Sequence, residues 1–207
     1  MSSPADAQIG RPTCANPEIA IEAMQPTAGG DAGEIDWRNN NAVLRELVIT
    51  QCDLRIQADE ARVKGGLDFE NSRWDVSGHV RISAEGGRLS SDNAVVNFRD
   101  NVITRATING APAEFEQQQA DGTLSRGHAN TIDYEISSGT VSLVGNAWLS
   151  HGRSETTAPQ LVYNIKTQSA LVRGKPAAGQ AGDGRIRIVI QPREKGEEDK
   201  ETVSPRN

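Results

Sequence analysis

Residues 74–83 read Trp74-Asp75-Val76-Ser77-Gly78-His79-Val80-Arg81-Ile82-Ser83, and this stretch decides the fold class. Trp74, Val76, Val80 and Ile82 share one parity, while Asp75, Ser77, His79, Arg81 and Ser83 take the other. A period of two puts successive side chains on opposite sides of an extended chain, so this is a strand with one apolar and one wet face. The alternation returns at Ile132-Asp133-Tyr134-Glu135-Ile136, Val141-Ser142-Leu143, Leu161-Val162-Tyr163-Asn164-Ile165 and Arg185-Ile186-Arg187-Ile188-Val189-Ile190. Turn residues bound these runs at Glu85-Gly86-Gly87, Asn109-Gly110, Asp121-Gly122 and Ser138-Gly139, which reads as a series of hairpins. Residues 41–47 admit one turn of helix but run on into Val48-Ile49 as a strand. The predicted fold class is all-β, built from many short antiparallel strands.

The chain also repeats itself. Residues 77–98 align without gaps on residues 144–165 at an offset of 67, matching Gly78 with Gly145, Ser83 with Ser150, Val95 with Val162 and Asn97 with Asn164. A shared column strengthens the repeat: a small residue, then usually Asp, Asn or Pro, then any residue, an aliphatic, any residue and an apolar one. It begins at Ala58, Ser91, Ala129 and Ala158, with spacings of 33, 38 and 29. Each unit is a pair or so of strands that cannot bury its apolar face alone and must stack on its neighbours.

The chain has 207 residues and a net charge of −6, from 22 Lys and Arg against 28 Asp and Glu. That length suffices for a core without metal or disulfide staples. The acidic balance argues against a nucleic-acid partner, since such proteins present basic surfaces to phosphate. Four of the nine prolines fall in residues 1–34, which read as a flexible leader. Residues 35–192 form the folded domain, and in residues 193–207 nine of fifteen side chains are charged, as expected of a disordered tail. No stretch reaches the roughly 18 apolar residues that a membrane helix needs. The N-terminus lacks the charged start and apolar run of a secretory signal.

Asp59 and Asp92 recur in register, and a ladder of carboxylates suits glycosidic cleavage in a β-solenoid enzyme. Each opens a strand beside a turn, however, where Asp commonly bonds a nearby backbone N–H, and Asn130 and Pro159 fill the same place elsewhere. His79, His128 and His151 show no metal spacing with one another or with a cysteine and read as single polar-face histidines. Ser125 and the Ser150-His151 pair lack a nucleophile-elbow motif. Gly65-Gly66 and Gly86-Gly87 open no helix and read as hairpin turns, not phosphate cradles. Cys14 and Cys52, the only cysteines, form no metal motif, and a bridge between them stays open. No catalytic residue, metal or cofactor is expected. What remains is a wide apolar face, either a closed sandwich core or a binding surface. Small residues near its parity (Gly78, Ala84, Gly145, Ala147) would leave room for alkyl chains.

The stretch from Asn109 to Ile165 resembles the LptA/OstA-like family of periplasmic lipopolysaccharide export proteins. The resemblance rests on Gly110-Ala111-Pro112-Ala113-Glu114-Phe115, Gly127-His128-Ala129 with Tyr134-Glu135, Leu143-Val144-Gly145-Asn146-Ala147-Trp148-Leu149, and Leu161-Val162-Tyr163 before Lys166-Thr167-Gln168. Ser77-Gly78-His79-Val80-Arg81-Ile82 and Ile56-Gln57-Ala58-Asp59 match it more loosely, and the likeness covers about residues 43–192. It implies a twisted β-jellyroll whose open apolar groove holds the lipid A acyl chains of lipopolysaccharide. It further implies a periplasmic, non-enzymatic conduit between an inner-membrane LptC-type protein and an outer-membrane LptD-type translocon, with head-to-tail self-association through exposed sheet edges. An LptC-like protein or a translocon N-terminal domain is the alternative within the same system. The expected groove residues are Trp74, Val76, Val80, Ile82, Phe115, Ile132, Tyr134, Val141, Leu143, Ala147, Leu149, Ile186 and Ile188.

Overall fold

The computed structural model describes residues 18–23, 33–36, 38–39, 41–64, 69–84, 86–119, 121–173 and 186–190. Alternating sequence becomes extended backbone throughout. Eight long strands follow one another as an antiparallel meander: β3 (Asn41–Gln51), β4 (Leu54–Lys64), β5 (Arg73–Ala84), β6 (Gly87–Arg99), β7 (Val102–Gln118), β8 (Leu124–Glu135), β9 (Thr140–His151) and β10 (Ser154–Asn164). Short strands β1 (Ala20–Glu22), β2 (Gly33–Asp36), β11 (Ser169–Arg173) and β12 (Arg187–Ile190) complete a 12-stranded sheet. Two-residue turns join β3 to β4, β6 to β7 and β9 to β10. At Asp100-Asn101 both residues have positive φ, 51° and 59°, the twist-matched two-residue turn that Asp and Asn tolerate.

The sheet is folded over along its middle. Pairing slips at Gln57/Glu60, Ser77/Val80, Ser90/Asn93, Asn109/Ala113, His128/Thr131 and Ala158/Gln160, so the bulges form one line across the sheet. Bulges bend strands and sharpen twist, and a continuous line of them makes a corner. One arm, arm A, holds the N-terminal halves of β3, β5, β7 and β9 and the C-terminal halves of β4, β6, β8 and β10; arm B holds the remaining halves. Phe115 of arm B meets Tyr163 of arm A with ring centroids 5.9 Å apart, so the arms face each other.

The four-fold column in the sequence is this corner. In β4, β8 and β10 a small buried residue (Ala58, Ala129, Ala158) is followed after the slip by buried pairs Ala61/Val63, Ile132/Tyr134 and Leu161/Tyr163. In β6 the column gives Ala94/Val96. Strands β5 and β9 turn the same corner with left-handed residues, Gly78 (φ 77°) and His79 (φ 45°) in β5 and Gly145 (φ 77°) and Asn146 (φ 52°) in β9. Gly78 and Gly145 therefore serve the bend, which corrects their reading as space for alkyl chains. A Cβ on Gly78 would collide with the Asp59 carboxylate, and one on Gly145 would lie 2.9 Å from Asn130 Nδ2.

Further turn expectations resolve individually. Gly86, Asp121-Gly122 and Ser138-Gly139 lie in turns. Asn109-Gly110 does not: it lies inside the 17-residue β7, in the corner, next to the cis Ala111–Pro112 bond. Residues 41–47 are strand. Gly65-Gly66, Cys14, residues 1–17 and the charged stretch 193–207 lie outside the described residues. Within the expected leader, Ala20, Ile21 and Glu22 pair with Thr50, Ile49 and Val48, and Gly33 and Glu34 pair with Leu44 and Val43. Cys52, at the β3–β4 turn, is disulfide-bonded.

Candidate functional site

Residues opposite each other on neighbouring strands share a face, so the register defines the inner surface of the folded sheet. On arm A it carries Trp74, Val76, Val96, Ile108, Ile132, Tyr134, Val141 and Leu143, and on arm B Ile56, Val80, Ile82, Phe115, Ala147 and Leu149, all buried. Eleven of the thirteen expected groove residues are thus brought together in one cluster. They do not line an open groove: the arms close on each other and leave these side chains at most 3% exposed. Ile186 and Ile188 stand apart from the cluster, 48% and 60% exposed.

The inner face emerges at the two ends of the fold. At the N-terminal end, Ile35 of β2 lies opposite buried Ala42 and Ile21 of β1 opposite buried Ile49. At the C-terminal end, Val172 of β11 lies opposite buried Leu161, while Ile188 and Ile190 of β12 lie opposite Thr156 and Ser154. Thr156 in turn faces buried Leu149, which places Ile188 on the inner face. Each end therefore carries one short strand on each arm, and exposed isoleucines continue the apolar surface beyond the core.

Polar groups interrupt the inner face at its margins. The Trp74 indole N–H is buried among Phe69 and Phe98 with no hydrogen-bond partner. Along the arm B strand ends stand Gln51, Gln117 and Ser125, all buried. Ser125 Oγ lies 2.8 Å from His151 Nδ1 and 3.2 Å from Tyr163 Oη. A serine and a histidine thus meet, yet Ser125 is wholly buried, so no substrate reaches its hydroxyl.

The histidines occupy three different settings. His79 bonds Asp59 at the corner, His128 stacks on Trp148 with centroids 5.2 Å apart, and His151 faces inward, which corrects its polar-face reading. No metal-holding cluster occurs among the described residues. Asp59 and Asp92 sit on β4 and β6 with β5 between them, and Asp59 is engaged by His79 at 2.7 Å.

The outer face is charged and paired across strands. Arg126 bonds Glu116 at 2.9 Å, and Arg105 forms a two-pronged contact with Asp133. An outward recess of about 380 Å³ lies around Arg88, Glu116, Arg126, His128 and Trp148. Hydrogen bonding to Asp133, then its charge, raises the Arg105 pKa above the ordinary arginine value.

A single antiparallel sheet folded over a continuous apolar interior defines a β-jellyroll protein. Residues 29–169 match the family described as LptA/(LptD N-terminal domain) LPS transport protein, and the chain belongs to that family. It is 27% identical over 121 residues to the lipopolysaccharide export system protein LptA of Escherichia coli (strain K12), covering 58% of this chain and 63% of that protein. It is 25% identical over 143 residues to LptA of Haemophilus influenzae, covering 57% of this chain and 80% of that protein. Among solved structures it matches LptH, the LptA-homologous periplasmic component of the lipopolysaccharide transport device of Pseudomonas aeruginosa. That match has a TM-score of 0.58 and 24% identity over 67% of this chain and 95% of LptH, a likeness of fold. A family of transport proteins agrees with the expectation of a non-enzymatic chain.

Proposed function

We propose that this chain is a periplasmic lipopolysaccharide-binding transport protein. It takes lipopolysaccharide from an inner-membrane export complex with an LptC-type protein and passes it to an LptD-type outer-membrane translocon, contributing to outer-membrane assembly. The observation that carries this reading is the inner apolar face, which runs through the eight long strands and emerges at both ends as Ile35, Ile188 and Ile190. Acyl chains gain about 0.8 kcal/mol per methylene withdrawn from water, so partial insertion of several chains is a strong driving force. The net charge of −6 favours the acyl chains over the anionic headgroup as the main point of contact. The short strands at each end leave backbone N–H and C=O groups for strand addition, which supports pairing with partners or head-to-tail with further copies. Because the family description embraces LptD N-terminal domains, a translocon-attached version of the same jellyroll is the second reading.

The test is binding of the purified chain to intact lipopolysaccharide and to its deacylated polysaccharide, at low and high salt. Binding of only the acylated form, with little salt dependence, supports the proposal. Equal binding of both forms, or of neither, overturns it.

A further inference from the structure

If acyl chains lie between the arms, a closed interior needs a way in, and the hydrogen bonds between the arms show where it lies. At the corner the arms are continuous backbone, whereas at the strand tips they are separate chain segments. Two polar clusters tie those tips together. Toward the N-terminal end, Gln51 of arm B donates through Nε2 to the Asn101 carbonyl at 2.8 Å and accepts the Ile103 N–H at Oε1, 3.1 Å away. Both partners belong to the β6–β7 tip of arm A. Toward the C-terminal end, Gln119 Nε2 donates to Tyr163 Oη at 3.1 Å and Gln168 Nε2 donates to Gln119 Oε1 at 3.0 Å, while Ser125 Oγ lies 3.2 Å from the same tyrosine oxygen.

These contacts run between arms and not between neighbouring strands, and they join uncharged groups. Separating amides and hydroxyls strands no buried charge, and each freed group can bond again to water or to a sugar hydroxyl or amide. Gln51, at the last rung before its tip, and Ser125, one rung before its own, also sit on the apolar parity of their strands. A core built only for stability would place apolar side chains there.

We propose that the Gln51 cluster and the Gln119–Tyr163–Ser125 cluster are latches that hold the arms closed. An acyl chain enters sideways between the strand tips when they release, and the freed amide and hydroxyl groups then bond to the polar end of the lipid. This inference rests on the proposed lipid-carrying function.

The experiment compares three proteins: wild type, the Gln51→Ala/Tyr163→Phe double variant and the Gln119→Cys/Gln168→Cys double variant. The last is studied oxidised and reduced, with wild type under the same redox conditions as its control. Stopped-flow uptake of lipid A and of the apolar dye anilinonaphthalene sulfonate is followed. The oxidised cysteine pair is expected to take up both at least tenfold more slowly and to recover on reduction. The Gln51→Ala/Tyr163→Phe variant is expected to take them up several-fold faster. The oxidised and reduced pair is one polypeptide, so that comparison does not depend on how well the variant folds. Lipid A uptake at the wild-type rate by the oxidised pair overturns the latch and leaves the carrier function standing. Dye uptake that follows the latches, without lipid A binding by wild type, overturns the function and leaves the latch standing. Equal dye uptake by all three proteins overturns the latch outright.

Discussion

Asp59 Oδ2 lies 2.7 Å from His79 Nδ1 across the corner of the sheet, joining the bend of β4 to the bend of β5. In the second copy of the corner, Asn146 Nδ2 donates to Asn130 Oδ1 at 3.4 Å. A charged pair in one copy and an amide pair in the other serve the same place, so what the corner requires is a short polar side chain against a left-handed Gly-X step. Both members of the Asp59–His79 pair are exposed at the surface, so its own contribution is small. Asp59→Asn is expected to change stability by less than about 1 kcal/mol. Gly78→Ala and Gly145→Ala force a side chain into a φ of 77° against an immediate neighbour and are expected to cost about 1–3 kcal/mol each. Urea unfolding of the three variants checks the order.

That corner is the part of the fold most legible in the sequence, although its meaning was not. The column beginning at Ala58, Ser91, Ala129 and Ala158 was visible because a bulge shifts parity, and the shift recurs once per hairpin. In β5 the same bend hid itself: Gly78-His79 restores the parity, so residues 74–82 read as one straight strand. The inner positions from Trp74 to Leu149 were readable for the same reason that strands were, since burial on one face imposes alternation. Among the terminal strands, β12 is legible in the alternation of residues 185–190, whereas β1, β2 and β11, of three to five residues, carry too little alternation to declare a strand, and β1 is held by three register pairs. The latch residues leave a trace, as polar side chains on an apolar parity at Gln51 and Ser125. Their partners lie across the fold-over, at sequence distances no local pattern reports.

The closed interior and its exposed ends should respond differently to truncation. Ile132 and Leu143 are fully buried and opposite each other on β8 and β9. Replacing either with alanine is expected to cost about 2–5 kcal/mol, because the facing arm cannot collapse fully into the space left. Ile190 is 71% exposed, and Ile190→Ser is expected to stay within about 0.5 kcal/mol of wild type. Thermal unfolding separates the two outcomes. A large loss from Ile190→Ser would mean that β12 is part of the cooperative core.

Acid should loosen the β7–β8 turn before the sheet. The Asp121 carboxylate accepts the Thr123 N–H at 2.8 Å, and this bond to the backbone holds its pKa below the ordinary 3.8. A lowered folded-state pKa means that the unfolded chain takes up the proton first. The stabilisation is therefore complete above pH 3.8 and is lost as pH falls through the lower folded value. Protection of the Thr123 amide from exchange, relative to its intrinsic rate at each pH, is expected to fall in that window, and Asp121→Asn is expected to remove the pH step. Unchanged protection down to pH 2 would disprove the assignment.

The outer face keeps the fold right side out through paired charges, and Arg105 tests this most directly. Its guanidinium grips Asp133 on the adjacent strand with two N–H groups, Nε at 2.6 Å from Oδ1, and Thr107 Oγ1 donates to the same carboxylate at 3.3 Å. Arg105 opposes Glu135 in the register and lies beside Asp133, so one cation serves two acidic groups. The arginine side chain is more than half exposed, which limits the pair to about 1 kcal/mol and makes it sensitive to salt. Arg105→Lys keeps the charge but loses the planar fork that matches a carboxylate. It is expected to recover only part of the Arg105→Ala loss, and the difference is expected to shrink in 1 M salt. A double-mutant cycle with Asp133→Ala measures the coupling; a salt-independent value well above 1 kcal/mol would show that water is excluded from this face and that the inner and outer surfaces have been assigned the wrong way round.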